Sequence, residues 1–358
     1  MRIELKKNPL NQKKIVKGLI VSLAIGVLVF LLVFLLTIDK NTIKSFQHMD
    51  ESFLLLATVA IFLSGLVEGL RIRVVAKAID EKIGFWESVK IFYISFFLGG
   101  ITPYFSGSIP GQVFLFTQKG ICAGKSMMIA TIRPIVKSVI FLILTPILFF
   151  YFRESLEEYE VLSWLLLIAA VLFSLLFIFL FVLAVKNPQK LKLFIEWLKK
   201  ITFFKNYLNR HKVQKGLEEL IYQAIQFHKS YHLLLNHPKE ISLAFFYTAL
   251  YWLLYFSIAP LLLLAMEINL DYVLVMVIQI LIFFILPFLP TPGGSGAAEL
   301  GFVSLFSFFV PSHLLGIYVG GWRLFTFYLN ILIGTLLSLS LLKKWIAWEE
   351  KDFKSNEC

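Results

Sequence analysis

With 358 residues, 58% of them apolar and only 16% charged, the chain carries more hydrophobic sequence than a soluble core can use. Its 37 phenylalanines and several apolar runs of about 18 residues or longer exclude a soluble enzyme or a nucleic-acid-binding domain, despite a net charge of +11. The composition is that of an all-α polytopic membrane protein, because helices close their backbone hydrogen bonds without water.

In chain order, residues 1–17 form a basic N-terminus, with Arg2, Lys6, Lys7, Lys13, Lys14 and Lys17 against Glu4. The excess of cations places it in the cytoplasm. The run 18–38 has no small-residue cleavage site after it, so it reads as a retained span rather than a signal peptide. Further spans are expected at 52–72, 126–152, 161–185, 241–265 and 314–342. Counting crossings puts Arg71, Arg73, Lys77 and Lys82, then Lys119 and Lys125, and finally Lys343 and Lys344 on the cytoplasmic side. Asp39, the acidic loop of Glu154, Glu157, Glu158 and Glu160, and the pair Glu267 and Asp271 fall outside. The linker 186–239 holds eleven Lys/Arg against three Glu and alternates them with apolar residues, as an amphipathic helix lying on an anionic leaflet does. These expectations describe one transmembrane domain, 18–345, in the plasma membrane, with both termini cytoplasmic and a tail at 346–358.

Two apolar segments, 88–118 and 272–310, carry the same interruption. Thr102-Pro103-Tyr104-Phe105-Ser106-Gly107 and Thr291-Pro292-Gly293-Gly294-Ser295-Gly296 both read T-P-x-x-S-G and lie 189 positions apart, with Pro110 after the first and Pro290 before the second. Helix breakers at matching places in two halves of a membrane protein point to a transporter-type binding site. Irregular backbone is tolerated at membrane depth only against protein or a wet cavity. The charge trace enters the first broken hairpin from the cytoplasm and the second from outside, which predicts inverted repeats at about 52–152 and 241–342. Re-entrant arms and full spans satisfy the trace equally.

Several polar residues accompany the breaks. Arg133 follows Thr102 by 31 positions and Arg323 follows Thr291 by 32, each in the span after its hairpin. An arginine at that depth costs at least about 2.5–3.5 kcal/mol unless it is paired, faces a cavity or snorkels to an interface. Lys137 shares a helical face with Arg133. Glu299, on the helix after the second break, needs a cation, for which Arg323 or Arg133 is placed; Gln112 is taken as its counterpart in the first hairpin. A purely structural ion pair between the halves is the alternative. Glu68 is a weaker candidate, with Arg71 or Arg73 near enough to pair it at the inner interface. The helix starts after the breaks offer free N–H groups, and Ser106, Ser108 and Ser295 offer hydroxyls. Together these suit an anionic or zwitterionic lipid headgroup, with Glu299 for an ammonium or a sugar. His48, His211, His228, His232, His237 and His313 have no metal spacing, and Cys122 and Cys358 form no framework, so no metal, cofactor or nucleic-acid partner is expected.

The segments Thr102-Pro103…Ser106-Gly107…Pro110-x-Gln112-Val113 with Lys119-Gly120, Pro290-Thr291-Pro292-Gly293-Gly294-Ser295-Gly296-Ala297-Ala298-Glu299, and Trp322-Arg323…Tyr328…Gly334 resemble the lysylphosphatidylglycerol synthase transmembrane-region, or flippase-like domain, family. The resemblance runs from about residue 15 to 345. It implies a membrane module that moves lipids or glycolipids, in some members an aminoacylated phospholipid made by a separate soluble domain. With the chain stopping at Cys358, the synthase activity is not carried over. Many members place an acidic residue where this chain has Ser108-Ile109-Pro110-Gly111-Gln112. The expectation is a lipid translocator, not an enzyme, acting alone, as a homo-oligomer or beside a lipid synthase. The rival readings are a membrane-embedded headgroup enzyme with Glu299 as acid/base, and a non-transporting partner of a synthase or glycosyltransferase.

Overall fold

The computed structural model describes residues 49–151, 225–285 and 291–348, together with the isolated positions Trp164, Ile168, Val171, Leu172 and Leu175. The expected span 18–38 and nearly all of the span 161–185 lie outside these residues, as do most of the linker 186–239 and Pro290. Among the described residues the protein is all-α, and four helices are long and apolar enough to cross a membrane: Glu51–Ala78, Ala123–Leu144, Pro238–Ala265 and Ser312–Leu339. They coincide with four of the expected spans.

Helix α1 (Glu51–Ala78) is capped by the Asp50 carboxylate, which accepts from the Ser52 N–H at 2.8 Å. Gly65 and Gly69 let α2 (Phe85–Gly100) lie close, because a side chain at either would overlap Tyr93 or Val89. Small residues one turn apart bring backbones together in a membrane, where the hydrophobic effect cannot. After the first break come α3 (Ser108–Thr117) and α4 (Ala123–Tyr151), the latter holding Pro134 and Pro146 in its interior.

The second half starts with α5 (Pro238–Phe256), which opens on proline, and α6 (Ile258–Ala265), which continues it past a step at Ser257. Pro260 has no N–H to return to the Phe256 carbonyl, and the buried Gln279 Nε2 donates there instead, at 2.8 Å. Gln279 belongs to α7 (Tyr272–Ile285), which Asp271 caps through the N–H groups of Val273 and Leu274 at 2.8 and 3.1 Å. The second break leads to α8 (Ala297–Phe306), then α9 (Ser312–Arg323), a π-turn over Leu324–Tyr328, and α10 (Leu329–Trp348).

The halves keep register to the residue. Helices α3 and α8 are both ten residues long and start 189 positions apart, and α4 and α9 start at the same separation. In the breaks themselves, Tyr104 and Phe105 have φ of 58° and 55°, and Gly293 and Gly294 have 62° and 68°. The Ser106 N–H donates to the Pro103 carbonyl and the Ser295 N–H to that of Pro292, both at 3.1 Å. One motif therefore makes one turn twice. The left-handed pair falls on glycines in the second break and on two aromatic residues in the first, where each costs roughly 1–2 kcal/mol.

Contacts fix which ends lie together. The Asp50 N–H donates to the Ala265 carbonyl at 2.9 Å, while Lys77 Nζ lies 3.9 Å from Glu240 Oε1, so α1 and α5–α6 run antiparallel. At the Lys77 end, Lys125 pairs with Glu81 at 2.6 Å and Lys119 pairs with Glu87. The hydrogen bond from the Lys119 ammonium holds the Glu87 carboxyl below the usual carboxylate range. Helix α10 runs against α2 so closely that a side chain at Gly334 would enter the Tyr93 carbonyl, and one at Gly100 would meet Ile331. This packing brings the two breaks into touch. Pro103 and Pro292 form an isolated antiparallel bridge, and since neither can donate, any hydrogen bond across it comes from their neighbours.

Candidate functional site

The register decides which residues correspond. Glu299 is the third residue of α8, and the third residue of α3 is Pro110. The pairing of Gln112 with Glu299 is therefore corrected: Gln112 is the fifth residue of α3, buried on a different side of the helix, and the carboxylate position of the first half holds an exposed proline. Arg133 likewise aligns with Trp322 by helix start, one residue before Arg323. The spacing of 31 against 32 reflects this offset.

In the second half the charges are closed on one another. Glu299 Oε2 accepts from the Gly296 N–H at 2.7 Å, so the carboxylate caps its own helix. Arg323 Nε donates to Oε1 at 2.8 Å and Nη2 to Oε2 at 3.3 Å, with a further contact of 3.4 Å from Nη2 to the Gly293 carbonyl. The guanidinium lies 4.7 Å from the Phe327 ring centre, and the two side chains are 5% and 1% exposed. Both carboxylate oxygens accept hydrogen bonds and the buried charge is matched by Arg323. Just after Arg323, the Leu329 N–H reaches back five residues to the Leu324 carbonyl and makes the π-turn. Within that turn the Thr326 carbonyl accepts from Tyr255 Oη at 3.1 Å and from Asn330 Nδ2 at 2.9 Å.

In the first half the cations outnumber the carboxylates. The Arg133 guanidinium sits 4.3 Å from the ring centre of Tyr251 and 5.4 Å from that of Phe92, and its side chain stays 21% exposed. Its one acid among the described residues is Glu68, with Nε 3.8 Å from Oε1. Glu68 is already held by Arg71, whose Nε and Nη2 donate to it at 3.0 and 2.6 Å, and both residues are wholly buried. Lys137 Nζ lies 4.8 Å from the Trp252 ring centre and 5.1 Å from that of Phe141, with no carboxylate in reach among the described residues. Arg133 and Lys137 thus meet the same wall of α5. Tyr255 stacks on Tyr251 at 5.6 Å and reaches the π-turn, so one aromatic layer separates this cluster from the Arg323 pair.

The breaks differ in surroundings. Pro103, Tyr104, Ser106 and Pro110 are exposed, whereas Gly294, Ser295 and Gly296 are buried. Thr102 Oγ1 donates to the Gly99 carbonyl and accepts from the Gly107 N–H, both at 2.8 Å, tying the first turn to α2. Its counterpart Thr291 Oγ1, and Ser295 Oγ beside it, are buried with no hydrogen-bond partner among the described residues. Gly293 needs its missing side chain, which would overlap Phe327 and come within 3.0 Å of the Gly100 carbonyl.

The sequence ranks Glu68 as a weaker candidate and offers Arg71 or Arg73 as its partner at the inner interface; Arg71 is the partner, but the pair is not interfacial. Both instead lie inside α1 at full burial, signalled by a carboxylate and a guanidinium three residues apart in an apolar helix. The aromatic wall of Tyr251, Trp252 and Tyr255 was missed, because aromatic residues at helical spacing are ordinary in so apolar a chain.

Comparison with known proteins agrees with this architecture. A UPF0104 membrane protein of Archaeoglobus fulgidus is 26% identical over 330 residues, covering 91% of this chain and 97% of that protein. No solved structure matches. The family model described as the lysylphosphatidylglycerol synthase TM region matches residues 19–334, and the chain belongs to that family.

Proposed function

We propose that the protein is a lipid translocator of the plasma membrane, without enzymatic activity, that passes an anionic headgroup through the cation cluster at Arg133 and Lys137. The observation that carries the reading is that cluster: two basic side chains inside a spanning helix, walled by aromatic rings, whose one acid among the described residues is Glu68, already held by Arg71. Membership of the family and the four apolar helices support a membrane role connected with lipids. The repeated breaks support transport. Helices α3 and α8, ten residues each, are about 15 Å long against a hydrocarbon core of about 30 Å, in keeping with re-entrant arms. The antiparallel course of α1 and α5–α6 supports an inverted repeat. The exposed first break and the buried second break then represent one of two states, with the basic ends at Lys77, Lys119 and Lys125 in the cytoplasm. In this state the Glu299–Arg323 pair latches the second break shut.

The test is leaflet exchange of headgroup-labelled anionic lipid in liposomes. Exchange without chemical change, lost in Arg133→Gln, is expected. A chemically altered lipid would replace the reading with an enzyme. Neither exchange nor alteration, in folded protein, would leave a role as partner to a lipid-modifying enzyme.

A further inference from the structure

Resting on that reading, we infer that the headgroup carries two negative charges at one end, as a phosphate monoester or diphosphate does, rather than the single charge of an ordinary phosphodiester lipid. Among the described residues the cluster holds Arg71, Arg133 and Lys137 against Glu68 alone. Arg71 donates two hydrogen bonds to that carboxylate's oxygens, and Arg133 reaches it only at 3.8 Å. The next carboxylate, Glu299, is bound by Arg323 and its own helix start. Two positive charges are therefore in excess, at a depth where an uncompensated charge is expensive. A singly charged headgroup leaves one of them unmatched; a doubly charged one leaves none.

Hydrogen-bonding capacity points the same way. Arg71 Nη1 and Trp252 Nε1 are buried donors with no acceptor among the described residues, and the Lys137 ammonium lies against the Trp252 ring. Arginine matches phosphate as a planar fork and lysine as a point charge. Arg133 and Lys137 stand one turn apart on α4, about 5–6 Å between Cβ atoms, a separation that one phosphate group can bridge. The three terminal oxygens of a phosphomonoester can serve the fork, the ammonium and the Trp252 indole together. The two of a phosphodiester would have to share those donors, with half the charge.

The experiment compares binding and leaflet exchange of phosphatidic acid and phosphatidylglycerol with identical acyl chains, using the full chain in liposomes. The wild-type protein is expected to favour phosphatidic acid by about tenfold. Lys137→Gln, which lowers the excess by one charge, is expected to bring the two lipids within about threefold, while Lys137→Arg keeps the preference and shows that the position tolerates change. Inorganic phosphate that fails to compete identifies the lipid as the source of the phosphate. Competition at concentrations similar to those of the lipid identifies free phosphate, with the same doubly charged chemistry. Equal handling of both lipids by wild type, unchanged in Lys137→Gln, overturns the charge inference and leaves translocation standing. If neither lipid binds or moves, the proposed function itself falls.

Discussion

The two T-P-x-x-S-G breaks share a backbone path and differ in everything around it. Both turn through two left-handed residues and both start a ten-residue helix. The first uses Tyr104 and Phe105 and is largely exposed, and the arginine of its half, Arg133, shares its acid with another cation. The second uses Gly293 and Gly294, is buried, and is pinned by an arginine whose acid is its own. The difference teaches that the motif sets the turn, while the third residue of the following helix decides whether the break is pinned to an arginine. A glutamate there can cap the helix and bind the arginine; a proline can do neither.

The largest effect should come from breaking the latch. Arg323→Ala or Glu299→Gln leaves a buried partner unmatched, and a loss of roughly 3–5 kcal/mol is expected, read as a lowered melting temperature in detergent. The comparable change in the first half, Arg133→Gln, should cost much less stability yet remove lipid exchange. Equal destabilisation by the two would contradict the contrast between them.

Next in size is the turn itself. Gly293→Ala forces a side chain onto Phe327 at a left-handed position, with an expected cost of about 1–3 kcal/mol in thermal unfolding. Tyr104→Gly, at the equivalent place, relieves strain and should be neutral or stabilising by up to about 1 kcal/mol. A similar loss at both positions would show that the breaks are not equivalent turns.

Smaller still is the link between the halves. Tyr255→Phe removes the hydrogen bond to the Thr326 carbonyl and should cost about 0.5–1.5 kcal/mol, with a slowing of exchange. The smallest effect belongs to the Glu87–Lys119 pair, which is half exposed and contributes at most about 1 kcal/mol. The Glu87 carboxyl is held below its ordinary range, so this contribution is present at neutral pH and fades as pH falls through that lowered value. Glu87→Gln should flatten this acid limb of a melting curve against pH.

Much of this arrangement was legible in the sequence, for reasons that can be named. Hydrophobic length marked the four long helices, and Thr-Pro with Ser-Gly marked the breaks, because those residues interrupt helices by their own geometry. The union of Glu299 with Arg323 followed from the cost of an isolated buried charge. The place of Gln112 did not, because two residues of register cannot be judged where a turn hides the helix start. The pairing of Glu68 with Arg71 followed from spacing, but its interfacial place did not hold, because α1 carries Arg71 wholly inside the bundle. The surplus of cations in the first half depends on packing of α1, α4 and α5, which no local pattern records.

The proposed alternation of the two breaks is tested most directly by accessibility of single cysteines, S106C and S295C, in a chain whose Cys122 and Cys358 are replaced by serine. In the state described, S106C should react readily with a membrane-impermeant maleimide, and S295C, buried beside the latch, should not. Saturating anionic lipid should slow the first and speed the second. If S295C stays unreactive from both sides while lipid is being exchanged, the breaks do not take turns and the alternating account fails.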